Sequence, residues 1–237
     1  PSRGLRYRLN YQQPFSKALR IEAGAQGRYR NSSEINELFE YNTATENYIL
    51  QPRFSHDVVY QRNIHAAYGL AKGEINSLGY QLGMRAEYTY RDITLDDTGE
   101  NFNINRWDFF PTLHFSYNLT ETDQFMASYS RRIDRPRGWF LEPFITWDDA
   151  YNIRRGNPDL QPEYINSWEA GYQKEFGKNA LSVEAYYRTT LNNIERIRRA
   201  YEGDIAGNNN NLVLRTFENV GKDFSLGTEI MLNTKPL

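Results

Sequence analysis

His114-Phe115-Ser116 puts an imidazole and a hydroxyl on one side of an extended chain, the minimum from which a base and its nucleophile are built. Both lie opposite the apolar side chains Leu113, Phe115 and Tyr117, so they share the wet face of a strand, and the plain reading is face polarity. Glu22, Glu87, Glu169 and Glu184 could pair as acid and base across an enclosed space. Arg20, Arg85 and Arg188 share their parity, however, which favours charge-paired ladders. Asp96-Asp97-Thr98-Gly99-Glu100-Asn101 offers oxygen ligands suited to calcium but lacks the spacing of a full calcium loop, so an acidic turn is the simpler account. Asp148-Asp149, beside Trp147, is open in the same way, and Asn208 to Asn211 is a polar run without chemistry of its own. His56 and His65 lie nine apart and match no metal-ligand spacing. These residues assign no catalytic group, no metal and no cofactor.

What must position such residues is sheet. The 237 residues are 39% hydrophobic and 15% aromatic, with eighteen tyrosines and thirteen phenylalanines. Mean hydropathy is nevertheless −0.77, which fits strands with one aromatic face and one wet face. No run approaches the roughly 20 apolar residues of a spanning helix. A barrel strand needs only about 9–11 residues that alternate between lipid and lumen, so a membrane is not excluded. The net charge of −2 gives no basic field for nucleic acid. The absence of cysteine excludes a disulfide-stapled module. The chain starts at Pro1 without a signal peptide and ends at Lys235-Pro236-Leu237 in mid-pattern, which suggests a segment of something larger.

Period-2 alternation recurs throughout, as in Leu5, Tyr7, Leu9, Tyr11 and again in Leu181, Val183, Ala185, Tyr187. It predicts about ten strands, at 5–11, 18–30, 54–71, 75–92, 106–119, 123–132, 164–176, 180–198, 212–219 and 223–233. Short turns (12–17, 72–74, 120–122, 177–179, 220–222) alternate with long loops (31–53, 93–105, 133–163, 199–211). An antiparallel up-and-down transmembrane β-barrel sorts its loops by parity in this way, while a Greek-key sandwich has no reason to. The all-β barrel is therefore the expected fold. Tyr7, Tyr11, Tyr29, Tyr88, Tyr90, Tyr117, Tyr129, Tyr172 and Tyr187 are then expected to form interface girdles.

Three motifs carry a resemblance. Gly156-Asn157-Pro158-Asp159-Leu160-Gln161-Pro162-Glu163, with Glu169 and Gly171, resembles the signature in the barrel of TonB-dependent outer-membrane receptors. Tyr129-Ser130-Arg131-Arg132-Ile133-Asp134-Arg135-Pro136, followed by Leu141-Glu142-Pro143-Phe144, looks like a segment seen in Bacteroidetes members. Asn219-Val220-Gly221, with Gly227 and Glu229, is similar to the strand pair that follows. The match covers roughly residues 125–230. The resemblance implies that residues 1–237 are part of a barrel of about twenty-two strands in the cell outer membrane, with the plug and the remaining strands absent. It also implies uptake of a nutrient ligand (siderophore, oligosaccharide or peptide), not enzymatic turnover. The implied partners are the TonB complex, reached through the missing N-terminal plug, the lipid bilayer, and a surface lipoprotein; nucleic acid is not among them.

Loop 133–163 is the longest expected and concentrates Trp139, Phe140, Trp147, Tyr151 and Arg154, a set suited to ligand binding. The plain alternative is that its aromatics pack the loop onto its neighbours. Two rival functions remain at this point. A soluble β-sandwich or solenoid binding module, carbohydrate-binding for example, would bury the apolar strand faces inward. A barrel enzyme of the lipase type would use His114 and Ser116.

Overall fold

The computed structural model describes residues 2–16, 18–149, 151–203 and 212–234. The chain forms β1 (Ser2–Pro14), β2 (Arg20–Asn36), β3 (Phe39–Asn42), β4 (Asn47–Leu50), β5 (His56–Ile75), β6 (Leu78–Leu95), β7 (Asn101–Asn118) and β8 (Asp123–Asp134). Then follow β9 (Ile145–Trp147), β10 (Asn152–Arg155), β11 (Glu163–Phe176), β12 (Asn179–Leu191), β13 (Ile194–Ala200), β14 (Val213–Asn219) and β15 (Lys222–Asn233). Nine of these build one sheet in the order β1-β2-β5-β6-β7-β8-β11-β12-β15. Each wall strand pairs antiparallel with the next in chain order, the arrangement of an up-and-down wall. Strands as long as β5, with 20 residues, exceed what a bilayer alone requires and carry the wall beyond it.

The register fixes which side chains share a face, because directly opposite residues point the same way. Leu82, Leu113, Tyr129, Trp168, Tyr187 and Leu226 form one transverse row across six strands. The rings of Tyr129 and Trp168 lie 5.3 Å apart and those of Trp168 and Tyr187 5.5 Å, in offset contact. All nine girdle tyrosines fall on this same face. His114, Ser116, Glu184 and Arg188 take the other face, as the alternation predicts. Leu113, Phe115 and Tyr117 remain 36, 41 and 48% exposed, and no second sheet covers their face among the described residues. A β-sandwich would have buried them, so that alternative fails here.

The connections depart from expectation in three places. Residues 93–105 are not a long loop: β6 and β7 continue toward each other and leave only the turn 96–100. The stretch 180–198 is interrupted, since Asn192 adopts a left-handed φ of 57° and turns the chain out of the wall. Segment 212–219 therefore does not join the wall. As β14 it pairs with β13 and β10 in a second sheet of order β13-β14-β10-β9, and β12 pairs directly with β15. Gly221, with φ +74°, closes the turn that returns β14 to the wall. The polar run Asn208–Asn211 and both chain ends lie outside the described residues.

The connections 37–55, 135–162 and 192–221 all leave from one end of the wall, whereas turns 15–19, 76–77, 119–122 and 177–178 close the other. At the long-loop end the inner face is dry. Val58, Ile93 and Leu95, all at most 3% exposed, pack with Leu141, Phe144 and Leu160 of the 135–162 connection and with Phe217 of β14. This core sits inside the wall, on the face opposite the tyrosines.

The two faces of β12 make opposite predictions. Ala185, on the tyrosine face, lies roughly 15 Å up from the 177–178 turn, given about 3.3 Å per residue and a tilt near 45°. Ala185→Arg is expected to cost about 2–4 kcal/mol in a folding titration in lipid, and Glu184→Gln, on the other face, much less. Equal costs would contradict a lipid-facing assignment.

Candidate ligand site at the long-loop end

The Gly156–Glu163 motif ties the long connections to one another. Its first glycine is required sterically: a Cβ at Gly156 would come within 2.5 Å of Glu142 N and 2.7 Å of Phe140 O. Asn157 donates its backbone N–H to Phe140 O at 2.7 Å and its side-chain amide to Phe217 O at 3.1 Å. Pro158 O accepts from Arg91 Nη2 at 2.6 Å, linking the motif to β6. Leu160 is 1% exposed in the inner core. Pro162 O accepts from Asn192 Nδ2, and Glu163 Oε1 accepts from the backbone N–H of Ile194 at 2.6 Å.

Asn219 completes the assembly. Its amide donates to Gln161 O at 2.9 Å and Asn192 O at 2.7 Å, and its oxygen accepts from Gln161 N at 2.9 Å. Farther along the wall, Glu169 accepts from Ser128 Oγ at 2.9 Å, while a Cβ at Gly171 would meet Met126 only at an ordinary contact distance of 3.5 Å.

The five expected ligand residues are only partly brought together. Trp139, Phe140 and Arg154 converge: the Trp139 and Phe140 centroids are 4.4 Å apart, and the Arg154 guanidinium lies 5.4 Å from the Trp139 ring. Phe140 is spent on packing, stacked 4.0 Å from Phe217. Trp147 belongs to a separate cluster around Ile153 and Leu214, edge-on to Phe54 at 5.7 Å. Tyr151, 62% exposed, projects from the β9–β10 turn. That turn is built by Asp149, whose Oδ1 accepts from the backbone N–H groups of Tyr151 and Asn152. Asp148 pairs with Arg215 at 3.2 Å.

Between the inner wall and this loop lies a cavity of about 430 Å³. Trp139, Leu141, Leu160 and Pro162 line one side, and Arg30, Arg62 and Arg91 the other. No spacing along the chain announced those arginines as a group. Only the pairing of β2, β5 and β6 collects them.

Glu142 borders the same cavity and is nearly buried. Burial pushes its carboxyl above the usual range and nearby Glu34 adds to this, while Arg154, 3.8 Å away, opposes.

His114 makes no hydrogen bond to Ser116 among the described residues, although both line a second, polar cavity of about 740 Å³ toward the short turns. Asp97 holds the His56 ring at 2.8 Å, and His56 in turn stacks on Phe144 at 4.8 Å. No cluster of three metal-ligating groups occurs among the described residues. Of the expected charge pairs Arg85–Glu87 forms, and Glu87 also pairs with Arg135 at 2.6 Å. Glu22 pairs instead with Lys72 at 2.6 Å, while Arg188 bonds Ser167 and Glu169 accepts from Ser128.

Asn219→Ala should undock the loops without dissolving the wall. Losing three side-chain hydrogen bonds at exposed or half-buried positions, worth about 0.5–1.5 kcal/mol each, it should raise amide exchange across 138–162 while strand amides stay protected. A pH effect follows from Glu142. Its folded acidity is weakened, so docking favours the protonated form: docking is strongest below the free-carboxyl range and weakens as pH rises through the raised folded value. Exchange in 138–144, corrected for its intrinsic pH dependence, should rise as the pH climbs above the free-carboxyl range, and Glu142→Gln should flatten the rise.

Residues 2–237 match the model of the outer membrane protein beta-barrel family. No curated protein sequence matches the chain. Among solved structures, the copper transporter OprC superposes with a TM-score of 0.68 at 14% identity, covering 98% of this chain and 34% of that one. The FrpB iron transporter from Neisseria meningitidis (F3-3 variant) gives 0.61 at 14% identity, covering 96% and 32%. The ferric citrate transporter FecA in its unliganded form gives 0.58 at 18%, covering 98% and 31%. The chain thus spans about a third of the structures it resembles. With the family matched over nearly its whole length and the wall built to the same plan, this chain belongs to the outer membrane protein β-barrel family.

Proposed function

We propose that this chain is part of the barrel wall of a TonB-dependent outer-membrane receptor that takes up a nutrient ligand, and is not an enzyme. The observation that carries the reading is the sorting of connections. Every long, mutually docked connection leaves from one end of a nine-stranded wall whose outer face is aromatic and whose inner face is polar. That end forms the mouth, and the motif resembling TonB-dependent receptors is what docks its loops. In this reading residues 1–237 belong to a barrel of about twenty-two strands, and an N-terminal plug couples it to the TonB complex. Loop-borne Trp139, Arg154 and exposed Tyr151 meet the ligand, and a surface lipoprotein is a partner over the mouth. Siderophore, oligosaccharide and peptide are the ligand classes this architecture serves.

The test is uptake in cells that make the full-length receptor. Ligand copurified with the protein, identified by mass spectrometry, should be accumulated in a TonB-dependent manner. Trp139→Ala with Tyr151→Ala should lower uptake at unchanged barrel assembly. Equal accumulation with and without TonB would refute the coupling, and turnover of the ligand by the purified protein would refute the non-enzymatic role.

A further inference from the structure

Arg30, Arg62 and Arg91 sit directly opposite one another on β2, β5 and β6, on the inner face. Facing side chains in such a row have Cβ atoms about 4.5–5.5 Å apart, and like charges there are destabilising. The next row toward the short turns adds Arg28 and Arg106. The wall supplies carboxylates for some of these arginines. Asp108 takes Arg106 at 3.2 Å, and Glu87 takes Arg135 at 2.6 Å. Arg30, Arg62 and Arg91 have no carboxylate within ion-pair distance among the described residues. Arg91 gives one N–H to the neutral carbonyl of Pro158, and its Nε is buried with no acceptor. Glu34, two rows away opposite Val58, and Glu142, which turns to Arg154, also line the cavity, but arginines outnumber them in its lining.

The cavity in front of this row is of small-molecule size, about 430 Å³. Its far side belongs to the chain's own loop, so it is not an open groove for a folded domain. Three rigid guanidinium forks on adjacent strands span about 10 Å and match carboxylate or phosphate oxygens two at a time. Opposite them stand Trp139, Leu141 and Leu160. Arg62 lies roughly 30 Å above the 76–77 turn along the barrel axis, beyond an apolar band about 25 Å tall, and therefore opens toward the mouth.

We propose that this cavity binds a compact anion bearing two or more carboxylate or phosphate groups, held by Arg30, Arg62 and Arg91 against the Trp139 side. The inference deepens the uptake reading by giving the ligand its chemistry, and rests on it only for how the anion arrives.

The experiment is calorimetric titration of the full-length protein in detergent micelles with inorganic pyrophosphate and, separately, tricarballylate; maltose serves as the neutral control. At least one anion should bind, and the responding arm distinguishes phosphate from carboxylate recognition. Arg62→Gln should weaken that binding by about tenfold or more and flatten its salt dependence. Arg62→Lys, which keeps the charge but loses the fork, should fall between. Arg30→Gln repeats the test should the Arg62 variants fail to assemble, with assembly read from the heat-modifiable gel band. Two results would overturn the proposal: neither anion binding the wild type, as when an acidic segment elsewhere in the protein fills the row, or unchanged affinity in assembled Arg62→Gln and Arg30→Gln. Binding in micelles needs no energy coupling, so a failure of the transport reading leaves this measurement standing. Receptor-driven uptake that persists in Arg62→Gln would sink the anion site alone.

Discussion

Every long connection in this chain faces one constraint: backbone that leaves the wall must find new hydrogen-bond partners. Wall strands satisfy theirs in the ladder, but a segment such as 135–162 carries many N–H and C=O groups with no strand beside them. The Gly156–Glu163 motif is the solution. Asn157, Gln161 and Glu163 saturate groups on Phe140, Phe217, Asn219 and Ile194, so the 135–162 and 192–221 excursions close on each other. Asn219 acts as the common clasp, because one amide has both a donor and an acceptor to give. Without these bonds the inner core of Val58, Ile93, Leu160 and Phe217 would have no lid, and the arginine cavity would have no far side.

The wall itself depends on a simpler rule. Period 2 sends one set of side chains to each face, and antiparallel pairing repeats the choice across all nine strands. That is why tyrosines scattered from Tyr7 to Tyr187 converge on one face although nothing in their spacing along the chain says so. The same rule gathers charge on the opposite face, where ladders such as Arg85–Glu87–Arg135 are neutralised locally. A row of three facing arginines stands outside that local pairing, which is why it points to an occupant.

Much of this was legible in the sequence, and what was not has a physical cause. Alternation is local, so strand existence and face were readable from Leu113-His114-Phe115-Ser116-Tyr117 alone, and the motif resembling TonB-dependent receptors agrees with the family to which the chain belongs. Residues 93–105 misled because Asp96, Asp97 and Gly99 signal a turn while giving no measure of its length. Segment 180–198 misled because one residue, Asn192, can redirect a strand without spoiling the pattern on either side. The ligand set suffered differently. Trp147 was grouped with Trp139 and Phe140 by proximity in sequence, but it packs in the cluster around Ile153 and Leu214 while Trp139 and Phe140 stay together.

Arg30, Arg62 and Arg91 were unreadable for a deeper reason. Their distance in sequence is set by the lengths of two hairpins, and only the register brings them to one row. Site and scaffold meet at Arg91. Its Nη2 holds Pro158 of the docking motif while its Nε is buried without a partner. An anion seated on this row would therefore act on a side chain already bonded to the loop, coupling occupancy of the cavity to closure of the mouth. Among the described residues Arg62 makes no such bond to the loop, so its substitution separates recognition from docking, which a change at Arg91 would not.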